Sequence, residues 1–162
     1  MKFKKNLFLI LILWLFNGCT GTEYAKQESI FIVFKTPIFK YADLGFIYRS
    51  PERLKIELYS NAQAVMALKI GKEKICISLF ECMDKKSFNK RVLSHYYPED
   101  ILMHIFREEK IFSGQNSIKT RNGFTQKLSR AGEYDINYQV FNKQIVFHDT
   151  INAIVIKVKR LK

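Results

Sequence analysis

The sequence is poor in the residues that carry metal, redox or nucleophilic chemistry. Of 162 residues only 3 are Cys, 3 His, 7 Gly, 3 Pro and 1 Trp. Three cysteines are too few for a disulfide-framework miniprotein. His95, His104 and His148 are isolated from one another, and no Cys-x-x-Cys or His cluster offers a zinc ligand set. The hydrolase Gly-x-Ser-x-Gly, the His-Glu-x-x-His motif, the P-loop and the dinucleotide Gly-rich fingerprint are all missing. The adjacent carboxylates Glu99-Asp100 and Glu108-Glu109 are explained by helix ends and solvated faces. The reading is a protein that is not an enzyme and uses neither metal nor cofactor. Acidic residues are also scarce, 15 against 27 basic ones, for a formal charge of +12. Apolar residues are not scarce: 48% of the chain is hydrophobic, with 14 Phe and 8 Tyr. That content excludes a disordered chain, and the length suits one domain.

The N-terminus supplies the first positive signal. Met1 to Lys5 carry three lysines, Leu7 to Phe16 is an unbroken apolar run, and Asn17-Gly18-Cys19 follows at once. A basic segment, a short apolar core and a small residue before a cut site make a secretory signal. A transmembrane helix needs roughly 20 apolar residues to cross ~30 Å of hydrocarbon, about twice this run. Plain secretion and an uncleaved anchor remain the alternatives to lipid attachment.

The segment Phe16-Asn17-Gly18-Cys19 resembles the lipobox of bacterial lipoproteins, with Phe16 where that motif favours Leu. The resemblance implies cleavage after residue 18, lipidation (palmitate among the acyl groups) at Cys19, and firm anchoring by several acyl chains. Thr20 rather than Asp follows the Cys, which in that family favours the outer membrane, periplasmic face. Residues 1–18 hold three lysines and no acid, so their removal lowers the charge from +12 to +9. A periplasmic protein meets little nucleic acid. The charge therefore points to anionic headgroups or acidic partners, or to a merely solvated lysine-rich surface.

With Cys19 lipidated, Cys76 and Cys82 remain in an oxidising compartment. An extended segment would hold them roughly 20 Å apart, beyond the ~7 Å Cα limit of a bridge. A disulfide therefore requires a turn between Leu79 and Cys82; two unpaired thiols are the other outcome.

Residues 19–29 read as lipidated N-terminus and polar tether, and residues 30–162 as the folded domain. Ile30 to Lys35 is an apolar run ended by Pro37. Leu44, Phe46 and Tyr48 alternate with Gly45, Ile47 and Arg49, and Leu54, Ile56 and Leu58 alternate with charged residues. After a turn at Ser60-Asn61, Ala64, Met66, Leu68 and Ile70 share a parity, as do Ile75, Ile77 and Leu79 after Gly71-Lys72. Phe88, Val92 and Tyr96 form a helical stripe within Asp84 to Tyr97. Pro98-Glu99-Asp100 starts a second helix, whose buried stripe is Ile101, Leu102, Ile105 and Phe106. Strand pattern returns around Arg121 to Leu128. Tyr134 to Val140, Ile145 and Phe147, and Ile154 to Val158 then alternate regularly, with a turn at Asn142-Lys143. Such alternation belongs to antiparallel strands with one dry and one wet face. The expectation is a mainly β (α+β) fold of roughly ten strands, a curved sheet or open barrel holding helices.

Three stretches look like a known family. Tyr48 to Leu68 resembles the strand-turn-strand unit of the LolA/LolB lipoprotein carriers and receptors. Tyr97 to Phe112 is similar to the receptor's proline-led helix and apolar exit, and Gly132 to Lys159 to its closing strands. The resemblance implies an antiparallel incomplete β-barrel with helices covering one mouth. It also implies a monomer that partners acylated lipoproteins and a periplasmic lipoprotein carrier, with a role as chaperone in protein transport to the outer membrane. Lipid binding of this kind needs an apolar concavity, since acyl transfer is worth roughly 0.8 kcal/mol per buried CH₂. Candidate lining residues are Phe46, Tyr48, Leu54, Ile56, Leu58, Met66, Leu68, Ile136, Tyr138 and Ile156, with Leu102, Ile105 and Phe106 on the covering helix. The same residues would equally fill an ordinary core. Receptors carry a protruding apolar residue in an early loop, whereas Ser60 to Ala64 here has no large apolar residue.

Overall fold

The computed structural model describes residues 26–60, 63–78 and 81–161. The first eighteen residues and Cys19, on which the signal and lipidation expectations rest, lie outside the described residues. Six strands come first: β1 (Lys26–Thr36), β2 (Phe39–Arg49), β3 (Leu54–Ser60), β4 (Gln63–Ile70), β5 (Lys74–Ile77) and β6 (Glu81–Asp84). Two short helices follow, α1 (Lys85–Val92) and α2 (Ile101–Arg107), then a single 3-10 turn at Phe112–Gly114. The closing strands are β7 (Ser117–Thr120), β8 (Gly123–Arg130), β9 (Tyr134–Phe141), β10 (Gln144–Asp149) and β11 (Ile154–Arg160).

All eleven strands form one antiparallel sheet in the order β6-β5-β4-β3-β2-β1-β11-β10-β9-β8-β7. Every neighbour is a hairpin partner except one: β1 pairs with β11, Ile30 opposite Arg160 and Lys35 opposite Val155. The first strand is thus the middle of the sheet, and the last strand closes the two halves together. The sheet is open, with edge strands β6 and β7, and the helices occupy the chain between these edges.

The period of two decides which side chains face inward. In β1, Ile30, Ile32, Phe34 and Thr36 are buried, and in β11 Ile154, Ile156 and Val158. The inner sets of β3 and β4 are Leu54, Ile56 and Leu58, and Met66, Leu68 and Ile70. Together with Phe88 and Val92 of α1 and five of the seven residues of α2, they make one continuous hydrophobic core.

Several expectations are corrected. Strand β1 begins at Lys26, so residues 26–29 belong to the sheet and not to a tether. The parity of β2 is inverted. A two-residue turn at Pro37-Ile38 puts Thr36 opposite Phe39, and Thr36 faces inward, so the odd-numbered residues of β2 face inward too. Ile47 is fully buried and Gly45 lies beside it, while Leu44 is 53% exposed. Ala64 is exposed despite sharing parity with Met66, because the register shifts between Leu58 and Tyr59. Helix α1 stops at Val92, so Tyr96 is exposed and Tyr97 is buried instead. The single strand expected around Arg121 is a hairpin, β7 and β8 turning at Arg121-Asn122.

Candidate functional site

Eleven of the expected lining residues converge on the inner face. Leu54, Ile56, Leu58, Met66 and Leu68 approach from one half of the sheet, Ile136, Tyr138 and Ile156 from the other, and Leu102, Ile105 and Phe106 from α2 between them. Aromatic edges join the layers. Phe34 meets Phe106 with ring centroids 6.5 Å apart, and Phe147 lies 6.0 Å from Tyr97 and 6.2 Å from Tyr138. All eleven are buried, so side chains fill this interior as it stands.

Phe46 and Tyr48 do not join them. The inverted parity of β2 puts both on the opposite face, in an aromatic cluster with Tyr59, whose ring centroid is 5.5 Å from that of Phe46. Lys55 Nζ sits 4.1 Å above the Tyr48 ring. Burial, together with the Glu57 carboxylate, raises the Tyr48 phenol to about 12.

Helix α2 has only two turns, which is too short to persist without tertiary support. Its C-terminus is held by polar contacts that the sequence reading did not identify. Arg49 Nη2 donates to Phe106 O at 3.2 Å, Arg107 Nη2 to Ser50 O at 3.0 Å, and Tyr138 Oη to Glu109 O at 3.0 Å. Arg49 and Arg160 share an ion-pair network with Glu28 and Glu108, each 17–20% exposed. Burial acts to raise the Glu28 carboxyl, but a hydrogen bond from Lys26 and the charges of Arg49 and Arg160 outweigh it and leave it below the usual range. A signal for this network exists: Glu28, Arg49 and Arg160 each stand two residues beyond the last apolar residue of an inward set. The alternation therefore continues into charges, which seal that end of the core.

A second polar centre lies near the opposite end of β10. Asp149 is fully buried. Its Oδ1 accepts from the backbone N–H groups of Asp135, Ile151 and Asn152 at 3.1, 3.0 and 3.2 Å. Its Oδ2 accepts from Asn152 Nδ2 at 2.7 Å and from the Tyr97 hydroxyl. Burial favours the protonated carboxyl, yet these donors outweigh it and hold the group below its usual value. Tyr97 belongs to the linker between α1 and α2, so this carboxylate ties the helical segment to the β10–β11 turn. Gln126 makes a similar clamp: its amide accepts from Ile111 N–H at 2.9 Å and donates to the carbonyls of Ile111 and Gln115 at 3.0 and 2.8 Å.

Cys76 and Cys82 stand directly opposite each other on β5 and β6 and form a disulfide, their Cα atoms 4.0 Å apart. It lies on the outer face, at one edge of the sheet. The three histidines are dispersed; His104 Nδ1 is 3.1 Å from Lys110 O. Among the described residues no group of three His, Cys, Asp or Glu side chains could hold a metal ion, and no helix is long and apolar enough to cross a membrane. No protein-family model matches the chain, and no curated protein matches it in sequence.

Proposed function

We propose that this chain is an acyl-binding lipoprotein of the LolA/LolB kind. On this reading it is anchored at the periplasmic face of the outer membrane through Cys19, accepts the acyl chains of other lipoproteins and helps insert them into that membrane. One observation carries the reading: two short helices, inserted between the edge strands of an open eleven-stranded sheet, share one apolar core with both halves of that sheet. Eleven strands laid flat would span about 48 Å, whereas two helices cover about 20–24 Å. A single core reaching from Ile75 on β5 to Leu128 on β8 supports a sheet that curls around the helices, the arrangement an incomplete barrel with helices across one mouth would have. The contacts between helices and sheet are mostly apolar and non-directional, with the polar ties concentrated at the α2 C-terminus and at Tyr97. Acyl methylenes can take the place of α2 side chains against the sheet with little change in total apolar burial.

Native mass spectrometry of the chain from Thr20 onward, mixed with a palmitoylated peptide, tests this. One-to-one binding is expected, with faster amide exchange in α2 as its side chains give way to the acyl chain. Absence of binding at peptide concentrations well above its acyl-dependent affinity for bovine albumin would falsify the reading.

A second reading is a structural or accessory envelope lipoprotein that uses the same fold for protein or membrane binding without transfer. The filled inner face favours it, as does the lack of a large apolar residue in the 60–64 turn. Val65, 45% exposed just past that turn, is a large apolar side chain open to solvent.

A further inference from the structure

We propose that the outer face of β2, β1, β11 and β10 docks on anionic lipid headgroups. Three successive rows of side chains cross these four strands on the face away from the helices. Leu44, Phe31, Lys159 and Gln144 form the first row, and Ala42, Val33, Lys157 and Val146 the second. Lys40, Lys35, Val155 and His148 form the third. The patch therefore interleaves lysines with large apolar side chains and contains no carboxylate. Among the described residues none of its lysines has an ion-pair partner, whereas Lys55 on the same face of β3 is paired with Glu57 at 3.0 Å. Phe31 is 40% exposed and Leu44 53%, and a shallow groove of about 170 Å³ runs past Phe31, Val33, Val146 and Lys157.

Charge complementarity and the place of the patch in the chain name the occupant. Unpaired ammonium groups on long apolar stems, set around Phe and Leu side chains, match a surface with phosphates outside and hydrocarbon just beneath. Strand β1, at the centre of the patch, begins seven residues after Cys19. Those residues reach at most about 25 Å, so a chain anchored at Cys19 keeps this face within reach of the bilayer. The tether to the bilayer rests on the proposed lipid anchor; the surface chemistry does not.

The test uses the chain from Thr20 onward, which carries the whole core described above, and vesicles of three parts phosphatidylethanolamine to one part phosphatidylglycerol. Cosedimentation is expected with these vesicles at low salt and not with phosphatidylcholine alone. Replacing Lys157 and Lys159 by Gln should weaken it about 25-fold, about fivefold per lysine, and Lys→Arg at both should restore it. Leu44→Ser should weaken it further with an unchanged melting temperature. Equal binding to phosphatidylcholine, or an equal loss when Lys72, Lys86, Lys90 and Lys119 are replaced instead, overturns the proposal, as does no binding at all. Palmitoyl-peptide binding measured on the same variants should be unchanged, so the fate of this surface and that of the acyl-binding reading are read separately.

Discussion

Replacing Asp149 by Ala should remove about 4 kcal/mol of stability. The carboxylate collects five hydrogen bonds while its residue is fully buried. Deleting it leaves the Tyr97 hydroxyl and the Asp135 N–H without an acceptor, each costing ~1–3 kcal/mol when water cannot replace the partner. The N–H groups of Ile151 and Asn152 lie in a surface turn and recover water, so they add little. Asp149→Asn keeps an oxygen for the backbone donors and loses the charge, for a loss of about 2 kcal/mol. Against a typical total of 5–15 kcal/mol, both are measurable by urea unfolding followed by circular dichroism.

The pH dependence supplies the sharper check. The folded carboxyl titrates below its ordinary value of 3.8. Its stabilisation is therefore complete above that value and is lost as pH falls through the lowered folded one. The stability gap between wild type and Asp149→Asn should be constant near neutrality and shrink below about pH 3–4. Glu28 and Glu57 are depressed too, so the difference between the two proteins is the readout, not the wild-type curve. A gap unchanged down to pH 2, or an Asp149→Ala loss under about 1 kcal/mol, would refute the assignment of Asp149 as the tie between Tyr97 and the β10–β11 turn. Tyr97 itself, pushed far upward by burial and by Asp149, remains a donor at every workable pH.

Other outcomes follow from the same geometry. Opening the Cys76–Cys82 bridge by a double Ser variant should lower stability by about 2 kcal/mol, the chain-entropy value for so short a loop, and raise amide exchange in β6; an unchanged urea midpoint would contradict it. Gly45→Ala should be strongly destabilising, because a Cβ there would meet the Glu57 carbonyl oxygen at 2.2 Å; a melting temperature equal to wild type would show that the β2–β3 register is misread. Phe46→Ala should leave palmitoyl-peptide binding unchanged, since its ring lies on the face away from α2; a tenfold loss of binding would restore it to the inner lining.

The regular strands were legible because alternation survives wherever a strand has one dry face. Tyr134 to Val140 and Ile154 to Val158 face as their pattern predicts. The α2 stripe was legible from Pro98 and the 3.6-residue spacing that follows it. Strand β2 misled because both of its parities carry apolar residues, and the deciding constraint was the length of the Pro37-Ile38 turn. The β7–β8 hairpin was obscured because its turn, Arg121-Asn122, lacks the glycine and proline that usually mark one; Gly123 comes just after, where its backbone lies close to the Val140 carbonyl. The helix ties escaped notice because Arg49, Glu28 and Asp149 are far apart in the chain. Only the β1–β11 closure brings Glu28 to Arg160.

That closure also explains the most apolar segment of the domain. A strand with one solvated face alternates, whereas Ile30 to Phe34 does not, and an unbroken apolar run is the mark of a strand covered on both sides. Strand β1 occupies the centre of the sheet, so its inner residues Ile30, Ile32 and Phe34 join the shared core, where Phe34 meets Phe106 of α2. Nothing in the described chain covers Phe31 and Val33 on the other side. Lysines from β1, β2 and β11 surround them there instead, so the unpaired half of a two-sided apolar pattern coincides with an unneutralised positive surface. Self-association through that face would set unpaired lysines against lysines, which like-charge repulsion opposes. The sequence pattern and the charge distribution therefore select the same complement for this face: one that is anionic outside and apolar within.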